Sequence, residues 1–173
     1  MKQIRSIFQT ASFIFIISLC VSCGYQFAGG GYIRNTVATV AVPVMENHST
    51  ETTADVAFTN AVIREIIEKT DTEIVDEKSA DAVLKGSIRS ISFATLSRAT
   101  TETVLERRVT ATLDVKLINS EGDVIWSVSD FSTDDDYMVS DDQATDDTNR
   151  EAAIDEIAER SAERLIGKLL VNF

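Results

Sequence analysis

The feature that most constrains the fold is an uninterrupted alternation of apolar and polar residues between positions 109 and 117. The apolar residues are Val109, Ala111, Leu113, Val115 and Leu117. Successive side chains of a β-strand point to opposite faces, so this period of two predicts a strand with one face on a core. The opposite face should meet water or a partner, and it carries Thr110, Thr112, Asp114 and Lys116.

Neighbouring segments supply partners for this strand. The sequence "NSEGD" at 119–123 is typical of a hairpin turn with Gly122 at positive φ, and "VIWSVSDFS" at 124–132 returns as an antiparallel strand. A strand is also predicted over 80–93, where the apolar parity switches and indicates a bulge near Ser90. Gly86 within it suggests a close approach of the first helix.

Two shorter segments near the start of the domain also resemble strands. The β-branched run at 36–45 predicts a first strand, and Pro43 near its end favours an edge position or the strand terminus. Residues 72–76, "TEIVD", predict a short additional strand.

Two helices are indicated by apolar residues at helical spacing. In the first, Phe58, Val62 and Ile66 recur every four residues after a possible capping box of Thr52 and Asp55. The second is a long amphipathic helix from Thr148, which forms a capping box with Glu151, to the end of the chain.

These elements predict an α+β fold. Two helices with one apolar stripe each need a shared sheet face to cover them. We therefore expect both helices to pack on one face of a mixed, mostly antiparallel sheet of about four strands.

The first 22 residues have the pattern of a secretory signal peptide. Lys2 and Arg5 are its only charges, and the uncharged run "ASFIFIISLCV" at 11–21 follows them. Eleven residues are too few for a transmembrane helix, which needs about 20. A buried N-terminal helix is disfavoured because no polar residues mark its other face.

The end of this leader resembles a bacterial lipobox. In residues 21–24, "VSCG", Cys23 would become the first mature residue and carry the acyl chains, although Cys20 stands where lipoboxes usually have Leu. A redox dithiol of Cys20 and Cys23 would need an adjacent βαβ pattern. A zinc site would need two more ligands, and the mature chain offers only His48.

The expected domain organisation is simple. Residues 1–22 are the lipoprotein signal peptide, 23–35 a lipid-anchored tether with three consecutive glycines, and 36–173 a single domain. The glycines lack the flanking strand and helix of a phosphate-binding loop. By resemblance to sorted bacterial lipoproteins, Gly24 after Cys23 favours the outer membrane, with the domain on its periplasmic side.

Charge and residue types exclude several functions. With 16 basic and 28 acidic residues and a net charge of −12, the chain is unsuited to general nucleic-acid binding. Residues 134–147 hold seven aspartates but no EF-hand pattern, so they predict a solvated acidic loop rather than a metal site. A single loop histidine, His48, and no nucleophile motif indicate neither an enzyme nor a bound cofactor.

Several segments in order resemble one known family. After the lipobox come "YQFAGGG", "VAVPVMEN", "FTNAVIREI", "ADAVLKGSI", "RRVTATLDVKL", "DVIWS" and "NREAAIDEIAERSAERL". Together they are similar to the lipopolysaccharide-assembly lipoproteins of the LptE family, over essentially the whole mature chain.

The resemblance implies a function. Members of the family sit inside the outer-membrane β-barrel LptD, assist its folding, plug its lumen and help deliver lipopolysaccharide to the outer leaflet. It also implies that exposed basic residues near the sheet contact lipopolysaccharide, here Arg98, Arg107 and Arg108. The acidic run at 134–147 departs from an anion-binding surface.

A second interpretation stays open from the sequence. The chain would then be a lipid-anchored periplasmic subunit of a different outer-membrane assembly, such as a curli-type secretion channel. Assembly of the purified protein into a ring would favour that interpretation, whereas co-purification of one large barrel would disfavour it.

The two cysteines give a direct test of the leader. We expect Cys23→Ser to leave the precursor uncleaved and mislocalised, because the lipid-bearing sulfur is lost. Cys20→Leu serves as the matched control and should mature normally. Immunoblots of fractionated cells check both; a maturation block by Cys20→Leu alone would mean that the wrong cysteine was chosen.

Overall fold

The computed structural model describes residues 31–98 and 104–171, so the leader and Cys23 lie outside the described residues. The eight elements are β1 (Thr39–Ala41), β2 (Glu46–Asn47), α1 (Ala54–Lys69), β3 (Glu73–Ile74), β4 (Ala82–Arg98), β5 (Val104–Asn119), β6 (Val124–Met138) and α2 (Gln143–Leu170). Neither helix combines the length and hydrophobicity that a membrane span requires, within the residues described.

The α+β class is confirmed, but the predicted sheet was too small and too antiparallel. The sheet has six strands in the order β3-β1-β4-β5-β6, with β2 also pairing with β4. Three of its five strand pairings are parallel, and all three involve β1 or β2. Those strands are only two or three residues long, too short to show a period of two in the sequence.

Strands β4, β5 and β6 form the antiparallel part of the sheet. The predicted hairpin of β5 and β6 is confirmed, and Gly122 in its turn has φ +91°. The pairing of β4 with β5 shifts between Ile88 and Ser90, which confirms the predicted bulge. Its cause is the change of apolar parity, because Ile88 and Ile91 must both face the core.

One hydrophobic core joins the two helices to the alternating face of β5. All five apolar residues from Val109 to Leu117 are at most 1% exposed. Phe58 and Ile66 from α1 and Ile157 and Leu165 from α2 are buried in the same cluster. A fully buried side chain of this size contributes about 1.5–3 kcal/mol, so this shared face is the main source of stability.

The acidic segment 134–147 is ordered structure, and its prediction as a loop was wrong. Asp134 and Asp136 lie in β6, where they alternate onto the face away from the helices. Asp142 is the N-cap of α2, and its side chain accepts a hydrogen bond from the Thr145 N–H at 2.9 Å. Carboxylates are favourable at a helix N-terminus, so a run that suggests a loop by composition instead begins a helix.

Both predicted capping boxes were also wrong. Helix α1 has Thr53 at its N-cap and no side-chain cap bond. Thr148 lies within α2, where its hydroxyl donates to the Ala144 carbonyl at 2.9 Å. The helix begins five residues earlier than the apolar periodicity indicated, because its first turns are solvent-exposed and polar.

Side chains of α2 cover the open edge of the sheet at β6. Asn149, Arg160 and Arg164 donate to the carbonyls of Met138, Asp134 and Ser132 at 2.9, 2.6 and 3.1 Å. Arg160 and Arg164 are four residues apart in the helix, which corresponds to a rise of about 6 Å, and two residues of a strand span about 6.6 Å. The two arginines are therefore spaced to reach outward-facing carbonyls that are two residues apart in β6. An edge whose acceptors are occupied is a poor template for another strand.

The close approach predicted at Gly86 involves a different partner from the one expected. A Cβ at this position would lie 2.7–2.9 Å from the Met45 side chain, rather than against the first helix. Met45 is 3% exposed and lies in the segment between β1 and β2, from which it enters the core directly over β4.

Replacing Gly86 with Ala should therefore destabilise the protein by about 1–3 kcal/mol through overpacking. Met45→Ala should cost about 2–5 kcal/mol alone. The double variant should cost clearly less than the sum, because the new methyl group occupies space that Met45 leaves. Urea denaturation of the four proteins checks this cycle.

Gly167→Ala is the matched control. Among the described residues, nothing beyond the helix's own neighbouring backbone lies within 4 Å of a Cβ at this position, so the change should stabilise by about 0.5–1 kcal/mol. Strict additivity of Gly86→Ala and Met45→Ala would contradict the proposed contact.

Candidate functional site: the outer face of the sheet

The side of β4, β5 and β6 that faces away from the helices is polar along the stretch that runs from Arg108 to Lys116 in β5. Its centre is a hydroxyl patch, defined by Ser90, Ser92, Thr110, Thr112 and Ser132. Thr112 pairs with Ser90 on one side and Ser132 on the other, and Ser92 pairs with Thr110, so these side chains share a face. All five are exposed or half-buried, which confirms the polar outer face predicted for β5.

One end of this face carries an arginine bound by two carboxylates. Arg108 donates to Asp136 through Nε at 2.7 Å and Nη2 at 2.9 Å, and its Nε lies 3.5 Å from Asp134. The hydrogen bond from Arg108 lowers the pKa of Asp136, and the bond to Asp136 raises the pKa of Arg108. The charge of Arg108 is thus compensated within the domain.

A second arginine, Arg89, lies where a bulge in β4 and a bulge in β6 flank the same part of β5. Arg89, the extra residue of the β4 bulge, pairs with Asp130 and lies 3.6 Å from Asp114. Asp130 has φ +52°, and its N–H donates to the Asp114 carboxylate at 2.9 Å. These contacts hold both bulges in place around β5, and they also neutralise Arg89.

The three basic residues predicted to contact lipopolysaccharide do not form one cluster. Arg107 pairs with Thr95 and Tyr137, and Tyr137 is buried on the helix side of the sheet. Arg108 points to the outer face, because adjacent strand residues alternate. Arg98 is exposed at the end of β4 and has an interaction of its own.

Two lysines that the sequence analysis did not single out face each other across β4 and β5. Lys85 pairs with Lys116 in the register, and Lys85 has Glu77 within 3.7 Å. Like charges opposite each other are unfavourable, and the ion pair of Lys85 with Glu77 reduces this repulsion. The alternation at 109–117 gave the orientation of Lys116, but only the strand register places Lys85 beside it.

The structure also contains a cleft, of about 660 Å³, that the sequence analysis missed. It lies between the beginning of β6 and the last turns of α2, and Arg34, Trp126, Arg164 and Lys168 are among the residues that line it. We call it the basic cleft. No sequence pattern predicts it, because its residues come from three distant segments.

Metal and acid–base chemistry find little support in the described ranges. No group of three or more His, Cys, Asp or Glu residues that could hold a metal ion occurs within them. His48 is exposed, and its Nε2 lies 3.6 Å from Glu46. Cys23, the predicted lipid attachment site, lies outside these ranges.

Comparison with known proteins identifies a family and a shared fold. A family model described as LptE, lipopolysaccharide-assembly, matches residues 37–169. No curated protein sequence matches the chain.

Two solved structures illustrate the shared fold. Lipoprotein B from Nitrosomonas europaea has a TM-score of 0.56 at 11% identity, covering 83% of this chain and 88% of that one. The rare lipoprotein B from Shewanella oneidensis has a TM-score of 0.50 at 17% identity, covering 72% and 91%. At these identities the similarity is one of fold.

The Arg108–Asp136 pair predicts a pH-dependent contribution to stability. Because the folded pKa of Asp136 is depressed, the contribution is present above the unfolded pKa, about 4, and is lost as pH falls through the folded pKa. Asp136→Asn should therefore lower the free energy of unfolding at pH 7, and the difference from wild type should shrink below pH 4.

Urea denaturation at several pH values measures this difference. The pair is solvent-exposed, so the effect should be modest and should weaken in high salt. Asp141→Asn is the control, since no ion pair of Asp141 is found among the described residues. An equal, pH-independent effect of both variants would contradict the assignment.

Proposed function

Because the chain belongs to the LptE family of lipopolysaccharide-assembly proteins, we propose that it is a plug and assembly partner of an LptD-type β-barrel. In this proposal it is an outer-membrane lipoprotein, held on the periplasmic side by acyl chains on Cys23. It assists folding of the barrel and helps insert lipopolysaccharide into the outer leaflet.

The hydroxyl patch is the observation that carries the plug role. The interior of an outer-membrane barrel is polar, so a domain inside it must present a surface that makes hydrogen bonds. Ser and Thr hydroxyls both donate and accept, and their small size lets the sheet approach the wall closely. An apolar outer face would favour association through hydrophobic burial instead.

The dimensions of the antiparallel sheet support the same role. Strands β4, β5 and β6 have 17, 16 and 15 residues. At about 3.3 Å per residue they reach about 50 Å, whereas the apolar band of such a barrel is about 25 Å tall. The polar stretch from Arg108 to Lys116 accounts for nine residues, or about 30 Å, so it is long enough to line a lumen through the membrane.

Direct contact with lipopolysaccharide is a narrower part of the proposal. Arg108 is held by Asp134 and Asp136, so it is a weak candidate for this contact. A net charge of −12 also disfavours long-range attraction of phosphorylated sugars. We propose that assistance to transport depends first on the plug, with Arg98 and Arg107 as local contacts.

Site-specific photo-crosslinking in cells tests the plug and its orientation. A photoreactive amino acid at Thr112, in the centre of the hydroxyl patch, should crosslink to one large outer-membrane barrel identified by mass spectrometry. Asp155, exposed on α2, provides the matched control and should crosslink far less. Depletion of the protein should lower the amount of folded barrel.

The outcomes separate the parts of the proposal. Crosslinking from Asp155 but not from Thr112 would mean that the helices, not the sheet, face the barrel. Normal barrel levels after depletion would overturn the assembly role. A ring of identical subunits without a barrel would instead support the secretion-channel alternative.

A further inference from the structure

The basic cleft has a composition that differs from the rest of this acidic protein. Three cations line it, Arg34, Arg164 and Lys168, beside the apolar side chains of Trp126, Val128 and Val171. No carboxylate is among its lining residues in the described part of the chain. In a chain of net charge −12, this is a local positive potential over an apolar floor.

Arg164 is held in the cleft by neutral groups. Its Nη1 donates to the Ser132 carbonyl at 3.1 Å and lies 3.4 Å from the Thr133 hydroxyl. Its guanidinium lies 4.9 Å from the centre of the Phe131 ring. These contacts fix the direction of the group without compensating its charge.

The other two cations come from the two ends of the domain. Arg34 has φ +54° in a turn closed by the hydrogen bond from the Asn35 N–H to the Tyr32 carbonyl, at 2.8 Å. Lys168 lies in the last turn of α2. Neither forms an ion pair with another described residue, in contrast to Arg89, Arg108 and Arg160.

The apolar part of the cleft continues onto the surface. Val171 is 46% exposed, and Trp126 is half-buried. Tryptophan beside Lys and Arg is typical of surfaces at a membrane–water interface, where the ring meets the lipid and the cations meet the phosphates. The cleft therefore fits an amphiphile with an anionic head.

The position of the cleft in the chain indicates the source of that amphiphile. Arg34 follows the proposed acylated residue, Cys23, by eleven positions. Eleven residues extend at most about 40 Å, so an anchored protein cannot move the cleft far from its own membrane. Anchoring thus raises the effective concentration of that leaflet at the cleft.

We propose that the basic cleft docks onto anionic phospholipid headgroups of the leaflet that holds the acyl anchor. The inference rests on the proposed lipidation of Cys23, and it assigns the cleft a role separate from the outer face of the sheet. Docking there would fix the orientation of the domain at the membrane, which an acyl chain on a glycine-rich tether cannot do.

The single tryptophan makes this testable without a label. Trp126 is the only Trp in the chain, so its fluorescence reports on the cleft alone. Acylated protein would be reconstituted into vesicles of phosphatidylcholine, with or without phosphatidylglycerol, that contain lipids brominated near the headgroup. We expect quenching and a blue shift of Trp126 with phosphatidylglycerol, and a loss of both in high salt.

Charge removal gives the expected magnitude. The contribution of one Lys or Arg near an anionic surface corresponds to about a fivefold change in affinity. The variant with Arg34→Gln, Arg164→Gln and Lys168→Gln should require roughly 100-fold more anionic lipid for half-maximal quenching. Arg164 also makes structural contacts, so a double variant with only Arg34→Gln and Lys168→Gln tests the same cleft without removing them. This double variant should require roughly 25-fold more anionic lipid for half-maximal quenching.

A control variant that loses the same number of positive charges elsewhere shows whether quenching depends on the cations of the cleft or only on the net charge of the protein. Arg64→Gln, Lys69→Gln and Lys78→Gln remove three cations outside the cleft, and they should leave Trp126 quenching nearly unchanged. An equal loss in this variant would overturn the proposal, as would quenching that is indifferent to phosphatidylglycerol. Quenching by lipopolysaccharide vesicles but not by phosphatidylglycerol would also overturn it.

Vesicle flotation distinguishes a failure of the proposed acyl anchor at Cys23 from a failure of the basic cleft to dock. Acylated protein should float with both vesicle compositions, whatever the state of the cleft. Failure to float with either would contradict the anchor at Cys23. Flotation with unquenched Trp126 would contradict the docking of the cleft alone.

Discussion

Strand β5 is the element on which the rest of the structure depends. Its apolar face is fully buried beneath the two helices, and its other face forms the centre of the hydroxyl patch. A slip of one residue would exchange the two faces, placing Thr110 and Asp114 in the core. The same alternation therefore specifies the core, the strand register and the candidate interaction surface.

Helix α2 completes this arrangement in two ways. Its apolar stripe covers β5 and β6, and its polar side chains reach the outward carbonyls of β6. Arg164 also contributes to the basic cleft, so it combines protection of the edge with the site of the proposed membrane contact. The same side chain therefore protects the β6 edge from pairing with another strand and contributes to the proposed contact with lipid headgroups.

The basic residues fall into those that aspartates already neutralise and those that have no carboxylate partner among the described residues. Arg89 is paired with Asp114 and Asp130, and Arg108 is paired with Asp134 and Asp136 of the acidic run. That run, whose composition suggests a surface that repels anions, instead neutralises Arg108 and begins α2. Arg34, Arg164 and Lys168, which have no carboxylate partner among the described residues, lie together in the basic cleft.

Sequence periodicity was sufficient for the long elements. The alternation of β5, the turn at Gly122, the bulge before Ser90 and the stripes of both helices were all predicted correctly, because each is a local pattern repeated over many residues. It also located β1 and β3 within the predicted strands at 36–45 and 72–76. It missed β2 and the parallel pairing of all three short strands, because that pairing depends on partners far away in the chain.

The candidate sites also include features that local sequence patterns predict and features that depend on contacts between distant segments. The α+β class, the polarity of the outer face and the family resemblance to lipopolysaccharide-assembly proteins all follow from local sequence patterns. The folded chain was needed to show that Arg107 and Arg108 lie on opposite faces, that Met45 rather than α1 packs on Gly86, and that a basic cleft exists. The physical reason is that faces follow from local geometry, whereas clusters require residues that only the packed chain brings together.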